Sequence, residues 1–171
     1  LKSDDLLDLN FRDINGNYLL TYAVRFNKPD IVKSLLENGA KYDIVDRMDR
    51  YILFDAIESN YIDIIKILLE HSENAIGVMI VNIKDINGAI PLHYAIKNKN
   101  VEIVKLLIQY KSNPYMTDLD GYNSLHLAAK TNSIQIMKSI VSVMTDLNTK
   151  TFKGETALHI SINFQYNDLA K

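Results

Sequence analysis

Three of the four histidines in this chain of 171 residues recur at one spacing. His93, His126 and His159 follow each other at intervals of 33 residues, and imidazole is a common zinc ligand. A ligand nitrogen must lie about 2.1 Å from the ion, whereas equivalent positions in stacked helical units lie about 10 Å apart. One ion therefore cannot bind all three side chains, and we predict structural histidines and no metal site.

Other residue patterns also argue against a catalytic centre. The chain has no cysteine, which excludes disulfides, thiolate nucleophiles and cysteine-ligated metals. Its six glycines are spread along the sequence and form no glycine-rich loop that could bind phosphates. The carboxylates fall in predicted turns, and no nucleophile is paired with an oriented base. We predict that this segment is not an enzyme and binds no cofactor.

The composition is that of a globular protein, with 47% hydrophobic and 23% charged residues. A formal net charge of −2 provides no basic surface for nucleic acid or an anionic membrane. No apolar run approaches the roughly 20 residues needed to cross a bilayer, and no signal-peptide pattern is present. We expect a monomer inside the cell, in cytoplasm or nucleus, and in a host cell if the chain comes from a pathogen.

The histidine spacing is part of a longer repeat. The pattern Asp-x-x-Gly occurs at residues 13–16, 85–88 and 118–121, and residues 151–154 keep the glycine with threonine in place of aspartate. Such Asp and Gly residues favour a tight turn, because Asp bonds its own backbone and Gly supplies a positive φ. An internal period of this length indicates stacked supersecondary units. We therefore predict a solenoid.

Residues 85–117 illustrate the unit. After the turn, Pro91 lies where the first turn of a helix tolerates proline, and a second apolar helix follows at 101–110. Pro114 prevents that helix from continuing into the extended return. Between the paired helices stand Asn27, Asn60, Lys99 and Asn132 in successive units. We predict left-handed backbone at these four positions, which asparagine tolerates better than lysine.

These residues closely resemble the ankyrin repeat. Its first-helix signature is carried by Ile90-Pro91-Leu92-His93, by residues 123–129 and by Thr156-Ala157-Leu158-His159, and the end of its second helix by residues 37–40. The resemblance implies an all-α solenoid of stacked helix–turn–helix units with hairpin-like loops. It also implies histidines that hydrogen-bond neighbouring hairpins, and protein recognition by the hairpin tips and a concave face.

The expected repeats are 13–45, 46–84, 85–117, 118–150 and 151–171, in a single domain 1–171. Residues 1–12 look like the end of a preceding repeat, and the last repeat stops partway through its second helix. The second repeat departs most from the pattern, because Asp49 replaces the turn glycine and six residues are inserted around 73–81. That apolar insertion either adds to the core or projects as a docking loop. We expect specificity to reside first in residues 46–81.

Exposed aromatic, methionine, leucine and arginine side chains at the tips are the best candidates for binding a protein partner. They are Arg25, Phe26, Arg47, Met48, Arg50, Leu119, Tyr122 and Phe152. The predicted function is a non-catalytic protein–protein interaction scaffold. Two alternatives remain: a targeting or regulatory arm of a larger multidomain enzyme or effector, and a purely structural spacer.

Overall fold

The computed structural model describes residues 8–46, 50–74 and 79–169, with side chains described as far as Phe164. The first four repeats each contribute a pair of helices. They are α1 (Leu19–Arg25) with α2 (Pro29–Glu37), α3 (Ile52–Glu58) with α4 (Ile62–Asn74), α5 (Pro91–Lys97) with α6 (Val101–Gln109), and α7 (Ser124–Thr131) with α8 (Ile134–Val141). The last repeat contributes α9 (Ala157–Leu169). The predicted all-α solenoid is confirmed.

The paired helices form two layers. In the first layer α1, α3, α5, α7 and α9 pack against one another in chain order, and in the second α2 packs on α4 and α6 on α8. The side chains between the layers are almost completely removed from water, as at Leu53, Ile65, Leu68 and Leu92. Each such side chain stabilises the fold by about 1.5–3 kcal/mol. This core fixes the spacing at which successive hairpins follow each other.

Left-handed residues join the two helices of each pair. The backbone φ is +51° at Asn27, +58° at Asn60, +56° at Lys99 and +55° at Asn132. In three of these turns the backbone amide of the next residue donates to a carbonyl in the preceding helix, as from Asn100 to Ala95 at 3.1 Å. The predicted conformation is therefore confirmed at all four positions, including the one occupied by lysine.

The second repeat absorbs its extra residues in two ways. Helix α4 has 13 residues whereas α2 and α6 have 9 each, and a short 3-10 helix follows at Ile80–Asn82. Ile80 and Val81 are buried, while Met79 is 53% exposed. Residues 75–78 of the predicted insertion lie outside the described residues. The described end of the insertion thus favours added core over a docking loop.

The last repeat differs from its expected shape. A single helix, α9, continues through Gln165, which is the position where the other repeats turn with an Asn or Lys. Glutamine is a good helix former and lacks the short side chain with which asparagine stabilises left-handed backbone. The expected break between a first and a second helix is consequently absent from the described residues of this repeat.

Candidate partner-binding face

Each hairpin is built around the side chain of its first residue. In the third repeat the backbone amide of Asp85 donates to the carbonyl of Ala89 at 2.9 Å, and the amide of Ala89 donates to Asp85 Oδ1 at 2.8 Å. Gly88 then completes the turn with a φ of +72°. The same bonds recur at Asp13 and Asp118, so these aspartates hold the tips in one conformation.

The two irregular hairpins close in an equivalent way. Thr151 uses its hydroxyl oxygen to accept the backbone amides of Lys153 and Glu155, each at 3.3 Å, in place of a carboxylate. In the second repeat, Asp46 and Arg50 exchange the expected bonds, although residues 47–49 lie outside the described residues. The base of that hairpin is therefore regular despite Asp49.

Successive tips of the third, fourth and fifth repeats touch each other. The amide of Leu119 donates to the carbonyl of Asn87 at 3.0 Å, and the Phe152 ring lies against Gly121. The side chain after the hairpin aspartate or threonine is apolar in every repeat whose tip is described. The exposed fractions are 101% for Ile14, 56% for Ile86, 68% for Leu119 and 77% for Phe152. The last three stand on hairpins that contact one another, and we call them the apolar ridge.

A second row of side chains lies beside the tips. In four repeats the fifth hairpin residue contacts the residue eight positions later, which lies near the end of the first helix in three repeats and within α9 in the last. These pairs are Arg25 Nη1 to Asn17 Oδ1 at 3.2 Å, Arg50 Nη1 to Glu58 Oε2 at 2.8 Å, Lys130 Nζ 3.5 Å from the Tyr122 ring centroid, and Asn163 Nδ2 to Glu155 Oε1 at 3.5 Å. We call the surface formed by the tips and these pairs the tip face.

Arg50 is held within its own repeat by three carboxylates. It bonds Asp46 at 3.0 Å and Glu58 at 2.8 Å, and Asp55 lies 3.6 Å away. Burial alone would lower the pKa of Arg50, but hydrogen bonds to Asp46 and Glu58 raise it above its usual range. Burial also raises the pKa of Asp55, an effect that the nearby Arg50 and Arg25 oppose. Arg50 is thus the shared cation of three carboxylates in the second repeat.

Tyrosines tie the first helices to two of the hairpins. Tyr22 donates its hydroxyl to Asp13 Oδ2 at 2.5 Å, and Tyr94 donates to Asp85 Oδ2 at 2.7 Å. In the second repeat the corresponding position is Asp55, which cannot donate as a carboxylate and instead attracts Arg50. The exchange of tyrosine for aspartate explains why an arginine can be accommodated beside the second hairpin.

Two of the three repeated histidines, His93 and His126, have the predicted structural role, whereas His159 is exposed and bonds Thr156 at the start of its own helix. His93 Nδ1 accepts the Ile90 amide at 3.4 Å, so Nε2 carries the proton and donates to the Met116 carbonyl at 3.1 Å. His126 repeats this arrangement with the Thr149 carbonyl at 2.9 Å. Burial lowers the pKa of His93 to about 4 and also lowers the pKa of His126. Both imidazoles thus link one first helix to the extended segment before the next hairpin.

The described residues contain no group of three His, Cys, Asp or Glu side chains that could hold a metal ion. Among the helices that the structure describes, none combines the length and apolar character required to cross a membrane.

The predicted partner-binding residues fall into distinct settings on the tip face. Leu119 and Phe152 lie on the apolar ridge, and Phe26 is 68% exposed and stacks on Tyr22 with the ring centroids 6.3 Å apart. Arg25 and Tyr122 belong to the second row. Arg50 is engaged by carboxylates, and Arg47 and Met48 lie outside the described residues.

The candidate binding residues chosen from the sequence did not include Asp55, Lys97 or Lys130. The signal was present in the chain, because these residues stand at fixed distances from the hairpin aspartates. Asp55 follows Asp46 by nine residues, as Tyr22 follows Asp13, and Lys130 follows Tyr122 by eight. Comparing the repeats position by position would have revealed these pairs.

Comparison with known families agrees with this architecture. A model of ankyrin repeats matches three overlapping stretches, residues 4–79, 75–151 and 92–171. The chain belongs to the ankyrin-repeat family. Ankyrin repeats are in general protein–protein interaction modules and are generally non-catalytic.

One relative of this ankyrin-repeat chain is the putative ankyrin repeat protein L371 of Acanthamoeba polyphaga mimivirus. The two sequences are 35% identical over 109 residues, which is 64% of this chain. The matched part is 14% of the relative's length, so the chain corresponds to a small portion of that protein.

Proposed function

We propose that this ankyrin-repeat segment is a non-catalytic scaffold that binds a protein partner through its tip face. The observation that carries the proposal is the ridge of Ile86, Leu119 and Phe152, whose apolar side chains are more than half exposed on hairpins that contact one another. Exposed apolar side chains that are contiguous, and held on a rigid frame, are typical of interaction sites.

The remaining candidates extend this surface. Arg25, Phe26 and Tyr122 border the ridge or continue it toward the first repeat, and Arg47 and Met48 stand at the tip of the second repeat by sequence position. Arg50 contributes indirectly, because it orders the side chains of Asp46 and Glu58. We further propose that the segment acts as a monomer inside cells, and in a host cell if its source is a pathogen, as the viral origin of the relative suggests.

Matched substitutions test the tip face. A partner is captured from cells that make the protein and is then produced pure, so that its dissociation constant can be measured. The double variant Leu119→Ala, Phe152→Ala is compared with Ile31→Ala, Ile134→Ala, whose residues are also exposed (49% and 66%) but lie on the second-layer helices α2 and α8. We expect at least tenfold weaker binding for the first variant alone. Equal affinities for the two variants would show that the partner binds elsewhere.

The second candidate function is a targeting or regulatory arm of a larger enzyme or effector. Its support is the relative, in which the matched repeats are a small fraction of a much longer chain. In that case the tip face selects the target, and the double variant abolishes recruitment of the target while the catalytic rate toward a free small substrate is unchanged.

A further inference from the structure

The chemistry of the tip face differs between its two halves. In the first two repeats the arginines of the second row are paired with carboxylates, and every salt bridge among the described residues involves Arg25 or Arg50. In the third and fourth repeats the row beside the ridge carries two lysines, Lys97 and Lys130, and neither takes part in a described salt bridge.

Lys97 has no hairpin partner for a reason that is visible in the sequence. The residue eight positions earlier is Ala89, whose methyl group is buried and cannot reach the helix end, whereas the other repeats have Asn, Arg, Tyr or Glu there. The Lys97 ammonium lies 5.8 Å from the ring centroid of Tyr94 and is exposed. It is therefore a positive charge on the tip face that remains available to a partner.

Lys130 is positioned more firmly. Its ammonium lies 3.5 Å from the centroid of the Tyr122 ring, and such a cation–π contact holds the charge without neutralising it. Lys130 follows Lys97 by one repeat, so the two ammonium groups recur with the same period as the tips of Ile86, Leu119 and Phe152. An apolar row and a cationic row thus run side by side.

Besides the hairpin aspartates Asp85 and Asp118, whose oxygens accept hydrogen bonds within their own repeats, two carboxylates belong to this half of the face. Asp120 stands at the fourth tip, and Glu155 accepts the amide of Asn163 in the fifth repeat. Lys153 lies at the fifth tip, one repeat after Asp120 and two residues before Glu155. Lys97 and Lys130 are the cations of the row beside the ridge, and neither is paired with a carboxylate in a described salt bridge.

We propose that the tip face of the third to fifth repeats binds an extended acidic segment of a partner protein. Apolar side chains of that segment cover Ile86, Leu119 and Phe152, and its carboxylates meet Lys97 and Lys130. Helices packed about 8–10 Å apart match one turn of a chain in the polyproline II conformation, which has three residues per turn and rises about 3.1 Å per residue, so apolar and acidic residues recur at every third position of the bound segment. This inference rests on the proposed function and specifies the partner's chemistry.

Designed peptides test the inference directly. One fluorescent peptide repeats Leu-Asp-Ser, a second repeats Leu-Lys-Ser and a third repeats Ser-Asp-Ser, and binding to the whole chain is measured by anisotropy at low and high salt. We expect binding of the first peptide only, weakened by salt. Equal binding of the Leu-Asp and Leu-Lys peptides, or binding of none, would overturn the acidic-segment inference.

Charge-removing variants make the test specific to the two lysines. Lys97→Gln, Lys130→Gln keeps much of the side-chain length and removes both charges, and Lys66→Gln, Lys105→Gln is the matched control on the second-layer helices. The first variant is expected to bind the Leu-Asp peptide about tenfold more weakly, and the control to bind it as the wild type does. Equal binding by both variants would contradict the inference. The proposed function is tested separately. It is contradicted if the Leu119→Ala, Phe152→Ala variant binds its captured partner as tightly as the wild type does.

Discussion

The Phe152 ring lies so close to Gly121 that a Cβ atom at position 121 would come within 2.8 Å of Phe152 Cδ1 and 2.6 Å of the Phe152 backbone nitrogen. Gly121 also has a φ of +81°, which disfavours any residue with a side chain. The glycine therefore serves two purposes: it completes its own hairpin and admits the next hairpin against it.

Replacing this glycine is expected to be more damaging than replacing a glycine in an open hairpin. Gly121→Ala adds a steric clash of about 1–3 kcal/mol to the roughly 1–2 kcal/mol of left-handed strain. Gly154→Ala is the matched control, because Gly154 has a φ of +77° and nothing within 4 Å of its would-be Cβ. Chemical denaturation of both variants measures the difference, and equal losses would show that the Phe152 contact yields without strain.

The left-handed lysine offers the opposite prediction, a gain in stability. Lys99 has a φ of +56°, where glycine is favoured, and its side chain is exposed. We expect Lys99→Gly to increase the free energy of unfolding by up to about 1 kcal/mol, after allowing for the greater freedom of glycine in the unfolded chain. Asn132→Gly, at a φ of +55°, should change it by less, because asparagine already tolerates this region.

Melting temperatures and denaturation midpoints of the two variants measure this gain. An unchanged or lower melting temperature for Lys99→Gly would show that lysine is not strained at this turn.

These turns show why much of the fold could be predicted from the sequence. The repeat period, the helix pairs and the left-handed positions depend on local chemistry that recurs every 33 residues, so the sequence predicted them. The continuous helix α9 was not anticipated, because the fifth repeat was assigned by extrapolating the period through Gln165, where no Asn, Asp or Gly favours a turn.

The tip face was predictable only in part. The exposed tips at Leu119 and Phe152 follow from their place after the hairpin aspartate or threonine. The pairing of Arg50 with carboxylates could not be predicted, because Asp46, Asp55 and Glu58 converge on it only when the hairpin folds against α3. An arginine that appears free for a partner in a linear reading is thus largely engaged in the folded repeat.

Buried His93 makes stability depend on pH. Its pKa is about 4 in the folded chain and about 6.5 when exposed, so between these values the unfolded chain binds a proton that the folded chain does not. The contribution of the neutral, buried His93 to the free energy of unfolding is complete above about pH 6.5 and decreases as the pH falls toward 4. The decrease is about 1.4 kcal/mol per pH unit and about 3 kcal/mol in total.

Urea denaturation between pH 7 and 4.5 measures this dependence. His93→Gln keeps an amide donor near the Met116 carbonyl and removes the titration, so the slope against pH should be distinctly smaller than in the wild type. His93→Gln, His126→Gln should reduce it further, because burial lowers the pKa of His126 as well. Parallel slopes for all three proteins would mean that neither imidazole resists protonation in the folded state.

Arg50 is expected to contribute more to stability than Arg25, the arginine of the first repeat that also lies near Asp55. The Arg50 side chain is 17% exposed and meets three carboxylates, whereas Arg25 is 50% exposed and lies 3.8 Å from Asp55. Arg50→Ala leaves Asp46, Asp55 and Glu58 without their shared cation, and we expect a loss of about 1–3 kcal/mol. Arg25→Ala should cost less than about 1 kcal/mol, as for an exposed pair.

A methionine variant and a change of pH distinguish this electrostatic effect from a loss of packing. Methionine retains the apolar stem of arginine, so Arg50→Met should be nearly as unstable as Arg50→Ala if the charge dominates. Burial raises the pKa of Asp55, so lowering the pH protonates this carboxylate and should narrow the stability gap between each variant and the wild type. If Arg50→Met is instead as stable as the wild type at neutral pH, the three carboxylates tolerate one another without Arg50, and the network only orients side chains on the tip face.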